Sequence, residues 1–446
     1  MSNPLARLMR VVPPGTHLVI GGTAVLGAAS YIQIAVAGHA LSGDSKQAVS
    51  ELWSLVMTLS LGLFFPIEQE LTRVVAARIV RGHGVAPVLR RATVLTVGLL
   101  ALITAALALA EKPLADTFFG GDRALVWAFA AALAGMALVY LTRGILAGLG
   151  LFDAYGMSLG LDGLLRIVLA GALFAAGSHS ALAYGLVLTA SPLLAMVLTL
   201  PATLRGCRPG PKMPWSELFQ NITMLIGSSV LAQLVVNAAV ITTALVTVNA
   251  DLTFALLSAG VLCRVPLFVF GSLQPTLMTG LSTAATSGDR AGFRKLLLQT
   301  CGVIAGLGLL GAVPAVLVGS WLIRVLLGAA DVLGPMDFFW FSAGTMFYML
   351  AMVVGQALVA MDRHRSQLVG WLSGTAVLVG VTCVHGSVAV RVEVAYFLGS
   401  LVAALVMLAL VWGSLGRRTL STATVGGADS GASGADRQQR LSTDIF

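Results

Sequence analysis

Apolar runs follow one another almost without pause from about Thr16 to Trp412, and each is long enough to cross a lipid bilayer. A hydrocarbon core of about 30 Å takes about 20 helical residues, and in lipid a backbone must satisfy its own hydrogen bonds. The spacing predicts twelve crossings, at 16–41, 50–78, 88–110, 123–143, 154–177, 180–203, 217–249, 252–282, 294–318, 335–360, 366–386 and 391–414. With 57% hydrophobic and 10% charged residues, the chain is no soluble globule. The expected class is an all-α polytopic membrane protein with about twelve transmembrane helices.

The positive charges then orient it. Seventeen Arg and Lys lie at the N-terminal end, in alternate connections and after the last run: Arg7, Arg10, Arg78, Arg81, Arg90, Arg91, Arg143, Arg205, Arg208, Lys212, Arg290, Arg294, Lys295, Arg363, Arg365, Arg417 and Arg418. The other connections hold five: Lys46, Lys112, Arg123, Arg324 and Arg391. That bias predicts an N-in, C-in arrangement. It also accounts for the net charge of +8 without nucleic acid, since an anionic inner leaflet suffices. The expected location is the bacterial inner (plasma) membrane, multi-pass. Arg7 and Arg10 before an apolar run faintly resemble a secretory leader, but no small-residue cleavage site follows, so that run reads as an uncleaved first helix.

The longest polar break, RGCRPGPKMP at 205–214, divides the chain. Expected domains are 1–203 and 217–416, two six-helix bundles, joined by a cytoplasmic linker at 204–216. A tail at 417–446, rich in Gly, Ser, Ala and Asp, reads as disordered. The bundles look like copies. Glu68 and Gln274 lie 206 apart, as do Gly82 and Gly288, and Phe119-Gly120 matches Leu327-Gly328 at 208. Six helices per repeat keeps both halves in one orientation, related by a pseudo-two-fold along the membrane normal. Their interface is where a substrate path is expected.

Charges inside the apolar runs are costly, roughly 2.5–3.5 kcal/mol each at a helix centre. Asp162 and Arg166, four apart, can neutralise each other locally, as can Glu70 and Arg73 at three. Both read as structural pairs, with coupling or gating as the functional alternative. Arg264, near the expected midplane of the eighth helix, has no acidic residue within a turn or two. Its counter-charge is expected from another helix or a ligand. Glu68, without a local basic partner, is the expected balancing group, either as a permanent ion pair or when a central cavity is empty. Gln33, Gln233, Asn237 and Gln274 suit sugar hydroxyls or interhelical hydrogen bonds. Pro66, Pro266 and Pro275 fall in the second and eighth helices, where a bend suits a gate. The four cysteines (Cys207, Cys263, Cys301, Cys383) show no metal or disulfide spacing, and no GxxxxGK[ST] segment occurs, so no cofactor and no direct ATP drive is expected. An enzyme reading is weak, because outer connections are short and apolar.

The segment Arg264–Ser282, the following ATSGDRAGFR at 285–294, the stretch Leu141–Tyr155 and the Phe119-Gly120 and Leu327-Gly328 turns resemble the multidrug/oligosaccharidyl-lipid/polysaccharide exporter superfamily. The nearer likeness is to polysaccharide and lipid-linked oligosaccharide flippases. The resemblance implies two six-helix bundles around a V-shaped cavity lined by helices 1, 2, 7 and 8, worked by alternating access. It also implies that Arg264 matches a helix 8 arginine that engages a diphosphate in the lipid II branch. No extra helix pair follows helix 12 and no basic cluster lies in helix 1, which favours a glycan other than lipid II. The expected cargo is a polyprenyl (di)phosphate-linked saccharide for envelope polysaccharide assembly. Membrane lipids, a coupling ion (H+ or Na+) and glycan-assembly enzymes are the expected partners. The alternatives are a cation-coupled multidrug exporter of the same superfamily and a non-transporting scaffold of a glycan-assembly complex.

Overall fold

The computed structural model describes residues 15–41, 43–237, 250–327, 331–384 and 387–428. Among these the chain is all helical, in the order α1 Thr16–Ala40, α2 Gly43–Leu59, a π-helical turn Ser60–Phe64, α3 Phe65–Val80, α4 Ala86–Leu109, α5 Glu111–Phe118, α6 Arg123–Gly148, α7 Phe152–Ala175 and α8 Ala181–Gly206. After the linker come α9 Trp215–Val236, α10 Ala250–Cys263, α11 Val265–Ser287, α12 Arg290–Leu327, α13 Pro335–Ala360, α14 His364–Thr382 and α15 Val388–Ala428. Ten described spans are long and apolar enough to cross a membrane, and the chain is a multi-pass integral membrane protein. The two expected crossings outside those ten are α9, whose described apolar part is Asn221–Val236, and α14. Residues 238–249 of the expected 217–249 span lie outside the described residues. α15 runs on to Ala428, so the change of composition at Arg417 is not a helix end; residues 429–446 are outside the description.

Without a hydrophobic force between helices in lipid, close packing of small residues must hold such a bundle together. α1 and α7 approach backbone to backbone. A Cβ on Gly22 would stand 2.3 Å from the carbonyl of Gly156, and one on Gly156 2.4 Å from Leu18. Likewise Gly144 and Gly148, one turn apart on α6, let α3 lie against them, a Cβ there meeting Glu68 at 2.9 Å and Val75 at 2.5 Å. These contacts fix the depth and rotation of α3, the element that carries Glu68, Glu70 and Arg73.

The paired second and eighth helices are both broken. The π-turn interrupts one just before Pro66, and Arg264 interrupts the other just before Pro266, with each proline in the first turn of the segment that follows. Proline lacks the N–H that a continuous helix needs, so a helix restarts there easily. Contact between the two halves runs through α3, α9, α11 and the adjoining part of α1. The Thr279 hydroxyl on α11 donates to the Ala147 carbonyl at 2.9 Å, and Ser229 on α9 donates to Leu61 in the π-turn at 3.3 Å. The other portions of the broken helices, α2 and α10, do not pack against each other among the described residues. The halves therefore meet on the side that carries the linker.

The linker itself is clamped. Arg78 donates to the carbonyls of Gly84 at 3.0 Å and Pro211 at 2.5 Å, and Ala86 N–H donates to Arg208 at 3.0 Å. Gly84 and Gly210 touch backbone to backbone, leaving no room for a side chain at either.

Candidate functional site

Four groups of buried polar residues stand where the sequence places charge in the membrane. In the first half, Asp162 on α7 lies between two arginines. Arg166 Nε is 3.0 Å from its Oδ1 and Arg143 Nη2 3.1 Å from its Oδ2. Asp162 is fully buried, and Arg143 and Arg166 nearly so. Arg143 also donates to the hydroxyl and carbonyl of Ser158, and Arg166 to the Ser30 hydroxyl on α1. Counting Arg143 among the loop charges overlooks this, because it lies inside α6 and is a buried counter-ion. Its signal was a Leu-Thr-Arg143-Gly-Ile context within an apolar run, facing Asp162 across the α6–α7 hairpin.

Glu68 belongs to the same half. Its Oε1 accepts from the Tyr155 hydroxyl at 2.6 Å, and Glu68 lines a narrow crevice between the halves with Gln69, Thr72, Gln274, Pro275 and Gln356. Gln274 thus faces its repeat equivalent Glu68 across the interface. Gln356, opposite them, keeps a buried Oε1 without a partner. Gln33 is buried separately on α1, with its own Oε1 unpartnered.

Arg264 stands at the break between α10 and α11 in the second half, half-buried. The expected pairing with Glu68 does not form in this conformation. Instead Arg264 Nη1 donates to Asn237 Oδ1 at 3.3 Å, Nη2 donates to the Val236 carbonyl, and the Tyr396 hydroxyl is within hydrogen-bonding reach. Val236 ends α9, so the guanidinium meets the partial negative charge of a helix C-terminus, a source of counter-charge that a search for carboxylates misses. Its Nε remains buried without a partner, and no carboxylate forms an ion pair with it among the described residues. Asn237 turns its amide back to Gln233, donating to the Gln233 carbonyl at 2.9 Å and Oε1 at 3.4 Å. Gln233, Asn237 and Arg264 therefore form one polar group, and Glu68 with Gln274 another.

The fourth group joins the halves on the linker side. Arg73 forks onto Glu70 at 2.9 and 2.7 Å, with both residues on α3. From the second half, His364 Nε2 reaches Glu70 at 2.9 Å, Asp362 accepts from Arg73 Nη1 at 3.3 Å, and Asn221 donates to both carboxylates at 3.0 and 3.2 Å. Asp362, His364 and Asn221 carry no signal in a linear reading, because each is an ordinary polar residue near a helix end until the two halves are brought together.

No protein-family model matches the chain. Among curated proteins it is similar to an uncharacterized protein of Mycobacterium bovis, 27% identical over 247 residues, which spans 54% of this chain and 56% of that one. An uncharacterized protein of Mycobacterium tuberculosis is 26% identical over 377 residues, 79% of this chain and 81% of that one. The chain thus spans little more than half the length of the first of these relatives. Among solved structures it is similar to a Vibrio cholerae MATE transporter, with a TM-score of 0.77 at 13% identity over 90% of this chain and 96% of that one. It is similar too to an outward-facing multidrug resistance MATE transporter of the MOP superfamily (TM-score 0.70, 16% identity, 92% and 99%). A MOP superfamily transporter from Pyrococcus furiosus, described as having a binding pocket of reverse polarity that suggests a different function, gives a TM-score of 0.72 at 14% identity over 91% and 95%.

Proposed function

We propose that this chain, whose fold is that of the MATE transporters of the MOP superfamily, is a secondary transporter of the bacterial plasma membrane. On this reading it moves a polyprenyl (di)phosphate-linked saccharide from the cytoplasmic to the outer leaflet. The observation that carries it is Arg264, a half-buried guanidinium whose partners among the described residues are neutral acceptors, with an N–H left over. A phosphate oxygen is the acceptor such a group lacks, and the contact is charge-assisted in a setting of low dielectric. Gln233 and Asn237 beside it, and Gln33 and Gln274 nearer the first half, offer amides to hydroxyl-rich cargo. With the orientation expected from the charge bias, the halves meet on the cytoplasmic side, which supports an inward-closed conformation; among the described residues α2 and α10 do not pack against each other. The Pyrococcus furiosus neighbour, described as having a binding pocket of reverse polarity, supports the reading.

A cation-coupled multidrug exporter is the second reading. It is favoured by Glu68, a buried carboxylate at the interface that accepts from a tyrosine hydroxyl, and by the multidrug resistance MATE neighbour. The two readings separate in proteoliposomes of the purified protein. The flippase reading expects outward translocation of a fluorescent polyprenyl-diphosphate saccharide, lost in Arg264→Gln and partly kept in Arg264→Lys. Efflux of a lipophilic cation that survives Arg264→Gln and disappears in Glu68→Gln, with no movement of the saccharide lipid, sinks it in favour of the exporter. An imposed proton or sodium gradient in the same vesicles identifies the coupling ion.

A further inference from the structure

We propose that the contact between the halves on the linker side is a proton-bound latch centred on His364. Both ring nitrogens of this buried imidazole face carboxylates, Nε2 at 2.9 Å from Glu70 of the first half and Nδ1 at 3.5 Å from Asp362 on its own turn. Nε2 hydrogen-bonds Glu70 while Nδ1 stands in charge contact with Asp362; a neutral imidazole turns a lone pair toward one of the two carboxylates, the imidazolium toward neither. The charge count agrees. Glu70 and Asp362 bring two negative charges and Arg73 one positive, so a proton on His364 makes the cluster neutral. Glu70 is fully buried and His364 almost so, and there an uncompensated charge is expensive.

Asp362 supports the assignment independently. It is the only non-glycine residue with positive φ among those described, at 62°, and it closes the C-terminus of α13. Glycine is the usual residue at such a position, since it has no Cβ to strain. An aspartate there gives up backbone comfort and gains a carboxylate aimed at Arg73, Asn221 and His364.

The remaining charges around the cluster are accounted for. Arg78, further along α3, is bound to the Gly84 and Pro211 carbonyls, and Glu68, half a turn before Glu70, is bound to Tyr155. Arg363 and Arg365 flank His364 and line a polar cavity of about 550 Å³ with Asn221 and Ser366. Guanidinium charge is constant near neutral pH, so it does not generate a pH response there. Parting the halves takes Glu70 away from His364 and leaves only the exposed Asp362 beside it. The closed state thus binds a proton that the open state releases. Acidification favours closure on this side and rising pH favours opening, by at most about tenfold per pH unit for one proton.

The latch deepens the transporter reading and rests on alternating access, though not on the nature of the cargo. The test uses the full chain in lipid nanodiscs on a cysteine-free background, spin-labelled at the exposed sites Arg81→Cys and Arg365→Cys on opposite halves. Pulsed electron resonance then reads the inter-half distance across the range in which an imidazole titrates, about two pH units either side of 6.5. Two populations are expected, the short one growing several-fold on acidification. His364→Gln should flatten that response. Asp362→Asn, at an exposed position that tolerates the backbone, should flatten it too, because the cluster is then neutral without the proton. Two populations that ignore pH, or an unchanged response in both variants, overturn the latch alone. A single distance at every pH, together with no transport in vesicles, overturns the alternating-access reading as well.

Discussion

The two halves repeat one topology and handle buried charge in opposite ways. In the first, each arginine in the membrane has a carboxylate: Arg143 and Arg166 share Asp162, and Arg73 forks onto Glu70. In the second, the partners of Arg264 among the described residues are a helix end, an amide and a phenol. The first half breaks its second helix with a π-turn whose Leu61 carbonyl is met by Ser229 across the interface; the second breaks its equivalent helix at the arginine itself. A half with compensated charge is a rigid frame. A half with an uncompensated cation at a helix break is where an anion would find both a partner and room to move.

Removing Asp162 should break that contrast most severely. Asp162→Ala takes from two nearly inaccessible guanidiniums the carboxylate they share, leaving Arg143 only the charge of nearby Glu68, a change that costs about 3–5 kcal/mol in buried ion pairs. Loss of the monodisperse peak in detergent, or a large drop in thermal midpoint, is the expected result; a normal melting curve would show that the first half does not depend on the triad. Tyr155→Phe comes next. It deletes the 2.6 Å bond to Glu68, and hydrogen bonds to charged groups contribute about 1.5–3 kcal/mol. The same thermal measurement reads it, and a shift as small as that of a surface substitution would mean water takes the place of the hydroxyl.

Arg264→Gln should be milder than either. No carboxylate is stranded, and the loss is chiefly the interaction of a cation with a helix C-terminus, about 0.3–1 kcal/mol. Normal expression with a near-native melting curve is expected, beside the loss of anionic-lipid transport already described. If instead Arg264→Gln destabilises the protein as much as Asp162→Ala, the guanidinium is structural in both halves and the contrast disappears.

The fold was legible because the membrane enforces it. Residues such as Val19, Ala29 and Ala170 read as helix whatever their neighbours, since lipid leaves the backbone no other partner. Local pairs were legible for a similar reason: Glu70 with Arg73, and Asp162 with Arg166, are set by helical spacing alone. Contacts that depend on how helices cross were not. Arg143 reaches Asp162 over a hairpin, Tyr155 reaches Glu68 between α7 and α3, and His364 reaches Glu70 over 294 positions. The counter-charge of Arg264 was missed for a different cause, because a backbone carbonyl has no letter in the sequence.

The smallest predicted effect concerns the ends of the fourth helix of each half. In the first half the chain leaves α6 through Gly150, at φ 73°; in the second it leaves α13 through Asp362, at φ 62°. Asp362→Gly would relieve left-handed strain of about 1–2 kcal/mol while losing ion pairs that, on a half-exposed side chain, are worth only about 0–1 kcal/mol. The two terms oppose each other, so the thermal midpoint should stay level or rise slightly. The inter-half distance should nevertheless lose its pH response, as in Asp362→Asn. The converse variant, Gly150→Asp, puts a carboxylate into open space at the matching turn and gains nothing, so it should lower the midpoint by the strain alone. A clear fall in stability for Asp362→Gly would mean that the aspartate holds the turn rather than the latch, and that the ends of the two helices differ in packing rather than in function.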